Sequence, residues 1–238
     1  MTDSVDALDL ARGAVRRVDF GYFVRPASET GTGSPRVEPC LGYVVRAGDR
    51  VLLVDTGMGS HPEVDAHYRP RRRSLSEALA PLGLRPEDVT HVTNCHLHFD
   101  HCGGNPELAG RPVFAQRAEI EAARTTQDYT LPELLDGSEF VELDGESEIL
   151  PGVLVVPTPG HTDGHQSFVV RLPDGSVVVA GQSHDTTTAY AADVLALRAH
   201  RDGRPSPLPD LRGPWVARLQ ELDPRMVVLA HDHSVWVP

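Results

Sequence analysis

The chain has 238 residues, 40% hydrophobic and 24% charged, with a formal net charge of −12 at pH 7. That size suits a single domain over 1–238, burying roughly 70–75% of the surface its unfolded chain exposes. The acidic balance argues against nucleic acid or an anionic membrane as partner, and no apolar stretch approaches the roughly 20 residues of a membrane span.

In chain order, Met1 to Arg17 carries Asp3, Asp6 and Asp9 without a continuous apolar segment, so no secretory signal is expected. Strands are predicted over 18–25 and 40–46, separated by a Gly/Ser/Thr/Pro loop at 26–39. Arg50 to Val54 reads as a short buried strand running into Asp55-Thr56-Gly57. Asp55 closes that strand either as an Asx turn or as a carboxylate that orients a ligand histidine. Residues 60–73 are expected as a polar loop. Its Arg69, Arg71, Arg72 and Arg73 form either a solvated surface or a cationic patch beside a site. Ser74-Leu75-Ser76-Glu77 is a capping box, and Leu75, Leu79 and Leu82 keep one apolar stripe up to Gly83.

Val89 to Thr93 is rich in β-branched residues and reads as a strand; Pro112 to Ala115 is another, followed by a helix over 116–124. The irregular segment around Tyr129 is a candidate cap on a site. From 140 onward the pattern turns to closely spaced strands: Phe140–Leu143, Val153–Val156, Ser167–Leu172 and Ser176–Ala180. An exposed loop over 200–214 precedes a helix from Pro214 with Trp215, Leu219 and Leu222 on one face, and Met226–Ala230 is the last buried strand.

The densest chemistry lies between Asn94 and Asn105, where His96, His98, Asp100 and His101 fall within six positions. Side chains two apart in extended chain point the same way, so His96 and His98 can face one ion. Gly103-Gly104 is expected to let the backbone turn and free Asp100 and His101 for a neighbouring position. Imidazoles and a carboxylate at this density suit zinc or another borderline divalent metal. Two further histidine groups follow strand ends: His161 and His165 in Thr158–His165, and His231-Asp232-His233. The three cysteines are an odd count and give no disulfide framework. Cys95 and Cys102 flank the cluster, as sulfur ligands or as small buried thiols, and a reducing cytoplasm fits best.

These motifs, with Leu53-Val54-Asp55-Thr56-Gly57-Met58 and Gly164-His165-Gln166-Ser167, resemble the metallo-β-lactamase superfamily, and more narrowly its N-acyl-homoserine lactonase branch. The resemblance covers roughly residues 40–235 and implies an α/β fold, a four-layer αββα sandwich with the site along one edge. It implies that His96, His98 and His161 hold one divalent metal and that Asp100, His101 and His231 hold a second, zinc being expected and iron the alternative. The family places an aspartate between the metals; here that position is Gln182, a neutral and weaker donor. Two divalent ions, two aspartates and a hydroxide sum to a charge of about +1, and with Gln182 in place of one aspartate to about +2. Asp185 is a second candidate for lining the site or bridging weakly. It stands near the position where the branch carries a substrate-orienting tyrosine.

The activity implied is lactone hydrolysis by water whose pKa a metal lowers to about 7. Asp100 would accept the proton and return it to the leaving oxygen. The expected partner is a small-molecule substrate, with a homodimer suggested by family likeness alone. Rivals on the same constellation are thioesterases, β-lactamases and polyketide cyclases, an iron-dependent oxygen-using enzyme, and a catalytically silent binder.

Overall fold

A computed structural model describes residues 15–205 and 212–238 and the backbone of Asp9–Leu10. The amino-terminal expectation and part of the 200–214 loop therefore lie outside the described residues.

The first half supplies β1 (Asp9–Leu10), β2 (Val15–Arg25), β3 (Arg36–Ala47), β4 (Arg50–Val54), α1 (Pro62–Tyr68), β5 (Arg71–Arg72), α2 (Leu75–Leu79), β6 (His91–Thr93), β7 (Pro112–Gln116), α3 (Arg117–Thr125) and β8 (Glu139–Leu143). The second half supplies β9 (Ser147–Leu150), β10 (Val153–Pro157), β11 (Gln166–Leu172), β12 (Gly175–Val179), α4 (Thr187–Arg201), α5 (Gly213–Glu221), β13 (Pro224–Val228) and β14 (Val235–Trp236). One sheet runs β1-β2-β3-β4-β6-β7-β8, with β5 also paired to β2; the other runs β14-β13-β12-β11-β10-β9.

Period-two alternation explains how the sheets stack. On β3, Leu41, Tyr43 and Val45 face the second sheet, while Cys40 and Val44 join α2 residues Leu75, Ala78 and Leu79 on the outer side. On the second sheet, Val153, Val155, Val177 and Val179 meet the first sheet. Leu154, Val156 and Val178 instead pack under Tyr190, Val194, Trp215 and Leu219 of α4 and α5. Strands covered on both faces read as unbroken apolar runs, which is why β10 and β12 were legible as strands. The result is the αββα sandwich, with the core between the sheets and satellite clusters under the helices.

Three expectations need correction. Residues 60–73 are not all loop: His61 caps α1, and Arg71–Arg72 pair with β2. The Ser74 capping box forms, yet its helix ends at Leu79 and continues only as a 3-10 turn to Leu82, closed by left-handed Gly83. The sequence reading passed over α4, a helix of 15 residues whose Thr186 side chain caps Ala189. Its buried stripe, Tyr190, Val194 and Leu197, is diluted by alanines and threonines that carry little periodic signal.

The strands β4 and β6 are parallel neighbours, as are β12 and β13. Their carboxyl ends all open on one edge of the sandwich, where α/β folds place their ligands. Two contacts tie the sheets together there. Leu41 N–H donates to Ala230 O at 2.9 Å, and the Tyr43 hydroxyl donates to Leu229 O at 2.8 Å.

Candidate metal centre

Beyond β6 the chain folds back through Asn94–Asn105 as a compact loop rather than a continued strand. Gly103 acts there by close approach and not by a left-handed turn. A Cβ on it would lie 2.1 Å from Gly59 N, and its own N–H donates to Gly57 O at 2.8 Å. The loop presents His96 and His98 with Nε2 and Nδ1 3.0 Å apart. His161, from the turn between β10 and β11, brings its Nε2 to 3.2 Å from the same His98 Nδ1. Beside this trio, His101 Nε2 lies 3.1 Å from His231 Nε2, and Asp100 Oδ2 lies 3.5 and 3.4 Å from those two nitrogens. Within each trio one donor atom per residue lies within 4.8 Å of the others. Lone pairs this close repel unless a proton or a cation sits among them, and neutral imidazoles with a carboxylate are the donor set divalent metals take. The six residues fit two ions.

Outer partners set the tautomers. Asp55, held at φ 60°, accepts from Cys95 N at 2.8 Å through Oδ1 and faces His101 Nδ1 at 3.0 Å through Oδ2. His231 Nδ1 lies 2.9 Å from Pro39 O, which can only accept. Both rings therefore carry hydrogen on Nδ1 and turn Nε2 to the centre, as metal ligands require. Asp55 thus fills the orienting role, one of the two readings of that residue.

Gln182 lies at the neck between the second trio and β12. Its Oε1 is 3.2 Å from His101 Nε2, and its backbone N–H donates to His165 Nε2 at 3.1 Å. His165 is thereby a support for Gln182 and belongs to neither trio. Asp185 does not approach the trios: its Oδ2 accepts from Arg36 at 3.0 Å. Its side chain is 51% exposed. The expected compensation for Gln182 by Asp185 is absent from this arrangement.

Cys95 Sγ approaches His96 Nδ1 and His101 Nδ1 at 3.2 and 3.3 Å, the ring edges turned away from the trios. Burial pushes its thiol up to about 12, so it stays protonated and serves as a hydrogen-bonding group. Cys102 is likewise buried, with its thiol pushed up to about 12 by the same cause. No disulfide forms among the three cysteines.

Charge in the centre is strongly organised. Burial works to raise the Asp100 carboxyl, but His101 and His231 hold it down at about 2, so it is ionised at neutral pH. Burial pushes the His98 imidazole down to about 4 and drives His96 well below its ordinary value, leaving both lone pairs free. Burial opposes a proton on His101 as well, yet Cys95, Asp100 and Asp55 hold it there. That imidazolium donates to Asp55 and Gln182 together. A cation arriving at Nε2 takes the place of that proton.

His98 and His161 of the first trio, Asp100 of the second and Gln182 line a cleft of about 530 Å³. Phe23, Tyr68 and Phe99 make an aromatic wall, with Tyr68 and Phe99 stacked at 5.0 Å, and Tyr129, Leu131 and Pro132 face them. None of Arg69, Arg71, Arg72 or Arg73 lines this cleft. Arg72 bonds Gly59 O and Asp65, and Arg73 pairs with Asp19, so the cationic-patch reading fails.

A family model described as the metallo-beta-lactamase superfamily matches residues 35–231. The chain belongs to the metallo-beta-lactamase superfamily. An N-acyl homoserine lactonase from a Bacillus species is 34% identical over 157 residues, 59% of this chain and 62% of that protein. The chain therefore spans less than two thirds of that relative's length. Among solved structures, AiiA from Bacillus thuringiensis with N-decanoyl-L-homoserine bound at the active site superposes with a TM-score of 0.71. Its identity is 25%, over 92% of this chain and 93% of that one. An N-acyl homoserine lactone hydrolase with N-hexanoyl-L-homoserine at the catalytic metal center gives the same TM-score of 0.71 at 25% identity, over 92% and 93% of the two chains. Within the superfamily the likeness is to the lactonase branch.

One supporting residue of this superfamily site escaped the sequence reading. Glu119, 1% exposed on α3, accepts from Leu97 N at 2.7 Å, from the Tyr129 hydroxyl at 2.5 Å and from the Thr162 hydroxyl at 2.7 Å. It ties together the loops that carry His98 and His161. In the sequence it is one glutamate among several in an Ala/Glu-rich helix. Its only signal is a helical phase that turns it, with Ile120, toward the core.

Proposed function

We propose that this protein is a metal-dependent hydrolase that opens lactones, with N-acyl-homoserine lactones as its substrate class. The observation carrying this reading is the meeting of a three-histidine trio and an Asp/His/His trio at an aromatic-walled cleft that His98, Asp100 and His161 line, in a chain 34% identical over 157 residues to an N-acyl homoserine lactonase. His96, His98 and His161 would hold one divalent ion and Asp100, His101 and His231 the other, with the Gln182 amide oxygen beside the second. When bound, zinc, which suits this donor set, supplies Lewis acidity and lowers the pKa of water.

The chain's own residues do the rest. Asp100 turns Oδ2 to the two histidines, which leaves Oδ1 to take a proton from water and return it to the leaving ring oxygen. Asp55 and the Pro39 carbonyl keep His101 and His231 from rotating during the reaction. Phe23, Tyr68 and Phe99 exclude bulk water from one side of the ester, which strengthens every charge interaction at the floor. The three unpaired buried thiols support a reducing compartment such as the cytoplasm. No helix among the described residues is long and apolar enough to cross a membrane.

The test is a substrate panel on zinc-loaded protein: N-hexanoyl-homoserine lactone, an acyl thioester and a β-lactam at equal concentration. The lactone is expected to lead in kcat/KM by about 100-fold or more. A thioester or β-lactam lead of that size overturns the assignment. Stoichiometric iron with oxygen-dependent turnover replaces it by an oxygenase reading.

A further inference from the structure

We propose that Arg25 is a specificity residue that reads a neutral carbonyl oxygen on the arm extending from the lactone ring; this rests on the lactonase reading of the cleft. Arg25 is the last residue of β2, and its guanidinium lies 5.6 Å from the centre of the Phe23 ring. Its Nε donates to Glu38 Oε1 at 2.8 Å. Glu38 is 2% exposed and is gripped from the other side by Arg36 at 2.6 Å, so the guanidinium plane is fixed from behind.

The terminal nitrogens of Arg25 make no hydrogen bond among the described residues, and Nη1 stands 4.0 Å from Glu29. The side chain is only 14% exposed, and the surface it shows is the cleft. Donors of a fixed fork, partly dried and unpaired, call for an acceptor. A bound arm that displaces water from them must replace its hydrogen bonds or leave them unmade.

Electrostatics chooses between a carboxylate and a neutral carbonyl. Arg25 is the only Arg or Lys among the described residues that line the cleft, whereas Glu63, Asp128 and Glu133 line it too. Glu38, shared with Arg36, and Glu29 at 4.0 Å already offset part of the guanidinium charge. An anionic arm would be repelled by Glu63, Asp128 and Glu133; a neutral carbonyl meets the Arg25 donors without that penalty. Position restricts the acceptor further. The Phe23 ring meets the His231 ring edge-on at 5.4 Å, so Arg25 sits one aromatic ring away from the second trio. It reads the portion of the arm next to the lactone and not the tail.

The experiment compares N-hexanoyl-homoserine lactone with an α-alkyl-γ-butyrolactone whose arm has the same length but no carbonyl. Turnover is measured on zinc-loaded wild type, Arg25→Met and Arg25→Lys, with calorimetric binding of the two ring-opened acids alongside. Wild type is expected to favour the acylamino compound by about 100-fold, and Arg25→Met to cut that ratio to about tenfold or less through KM and Kd, with metal content unchanged. Arg25→Lys should restore part of the ratio, which a merely structural role would not give. Equal ratios in wild type and Arg25→Met, or no binding of either acid, overturn the proposal. If wild type turns over neither lactone, the lactonase reading falls, while the ratio of acid affinities still decides the role of Arg25.

Discussion

The two trios differ in how the protein holds them. His101 and His231 are almost fully buried, and each ring is pinned through Nδ1, by Asp55 and by the Pro39 carbonyl. His98 and His161 face the cleft, and their main contacts are each other, His96 and the Tyr129 ring at 4.8 Å from His98. The buried trio is thus built in advance but has the neutral Gln182 at its side. The open trio is loosely framed but has three nitrogen donors. Preorganisation and donor charge are distributed in opposite ways, and each can be disturbed separately.

The largest effect should come from the open trio. His98 Nδ1 is the atom both His96 and His161 approach, so His98→Ala removes its centre. Activity should fall by about a thousandfold or more. Bound metal, counted by plasma emission spectroscopy, should fall with it, the buried trio keeping its share. Full turnover at unchanged metal content would remove His98 from the site. The buried trio is attacked through its support: Asp55→Asn keeps the size but loses the charge that orders His101. Affinity for the second ion should weaken by about 10–100-fold, read by chelator competition. An unchanged second affinity would show that Asp55 only shapes its turn.

Gln182→Glu tests the charge argument directly, since it puts a carboxylate oxygen where Oε1 already lies 3.2 Å from His101 Nε2. The second ion should bind about tenfold more tightly, with the open trio unaffected. Weaker binding would mean that the Gln182 site is shaped for an amide and that the second ion is not wanted there.

How much of this was legible follows from how local each signal is. Ligands closely spaced on the loop after β6 announced themselves by density, and the apolar runs of β10 and β12 announced strands, while the stacking of two sheets was implied only by the family resemblance. His161 and His231 were legible only through their place after strand ends, in motifs that resemble a family. Glu119 and Arg25 were not legible, because what singles them out is burial and a partner far along the chain. Leu97 N lies 22 positions from Glu119, and Glu38 lies 13 from Arg25. Gly103 was found for the wrong reason: its need is steric, set by residues 57–59 across the loop, which no local pattern records. Asp185 was misjudged because Arg36, 149 positions away, takes its carboxylate.

The smallest expected effect separates the trios by the sign of their pH dependence in metal-free protein. Burial holds His98 at about 4 and His96 well below its usual range, whereas in the unfolded chain both titrate near 6.5. Between pH 6.5 and 4 the unfolded chain therefore binds more protons, so these residues' contribution is complete above 6.5 and is lost as pH falls through the folded value. His101 runs the other way. Burial opposes its charge, but Cys95, Asp100 and Asp55 raise its pKa well above the usual value. Its contribution is complete below 6.5 and is lost as pH rises through the folded value. The two windows do not overlap: His98 and His96 give a fall in Tm of about 5 °C between pH 6.5 and 4 in a chelating buffer, and His101 gives a separate fall above pH 6.5. Asp55→Asn removes part of what holds the His101 proton, so it should flatten the loss above pH 6.5 and leave the acid-side fall unchanged. His98→Ala removes part of what causes it and should flatten it. Identical pH profiles in the two variants would mean that the trios titrate as one cluster, and the division drawn between them would fail.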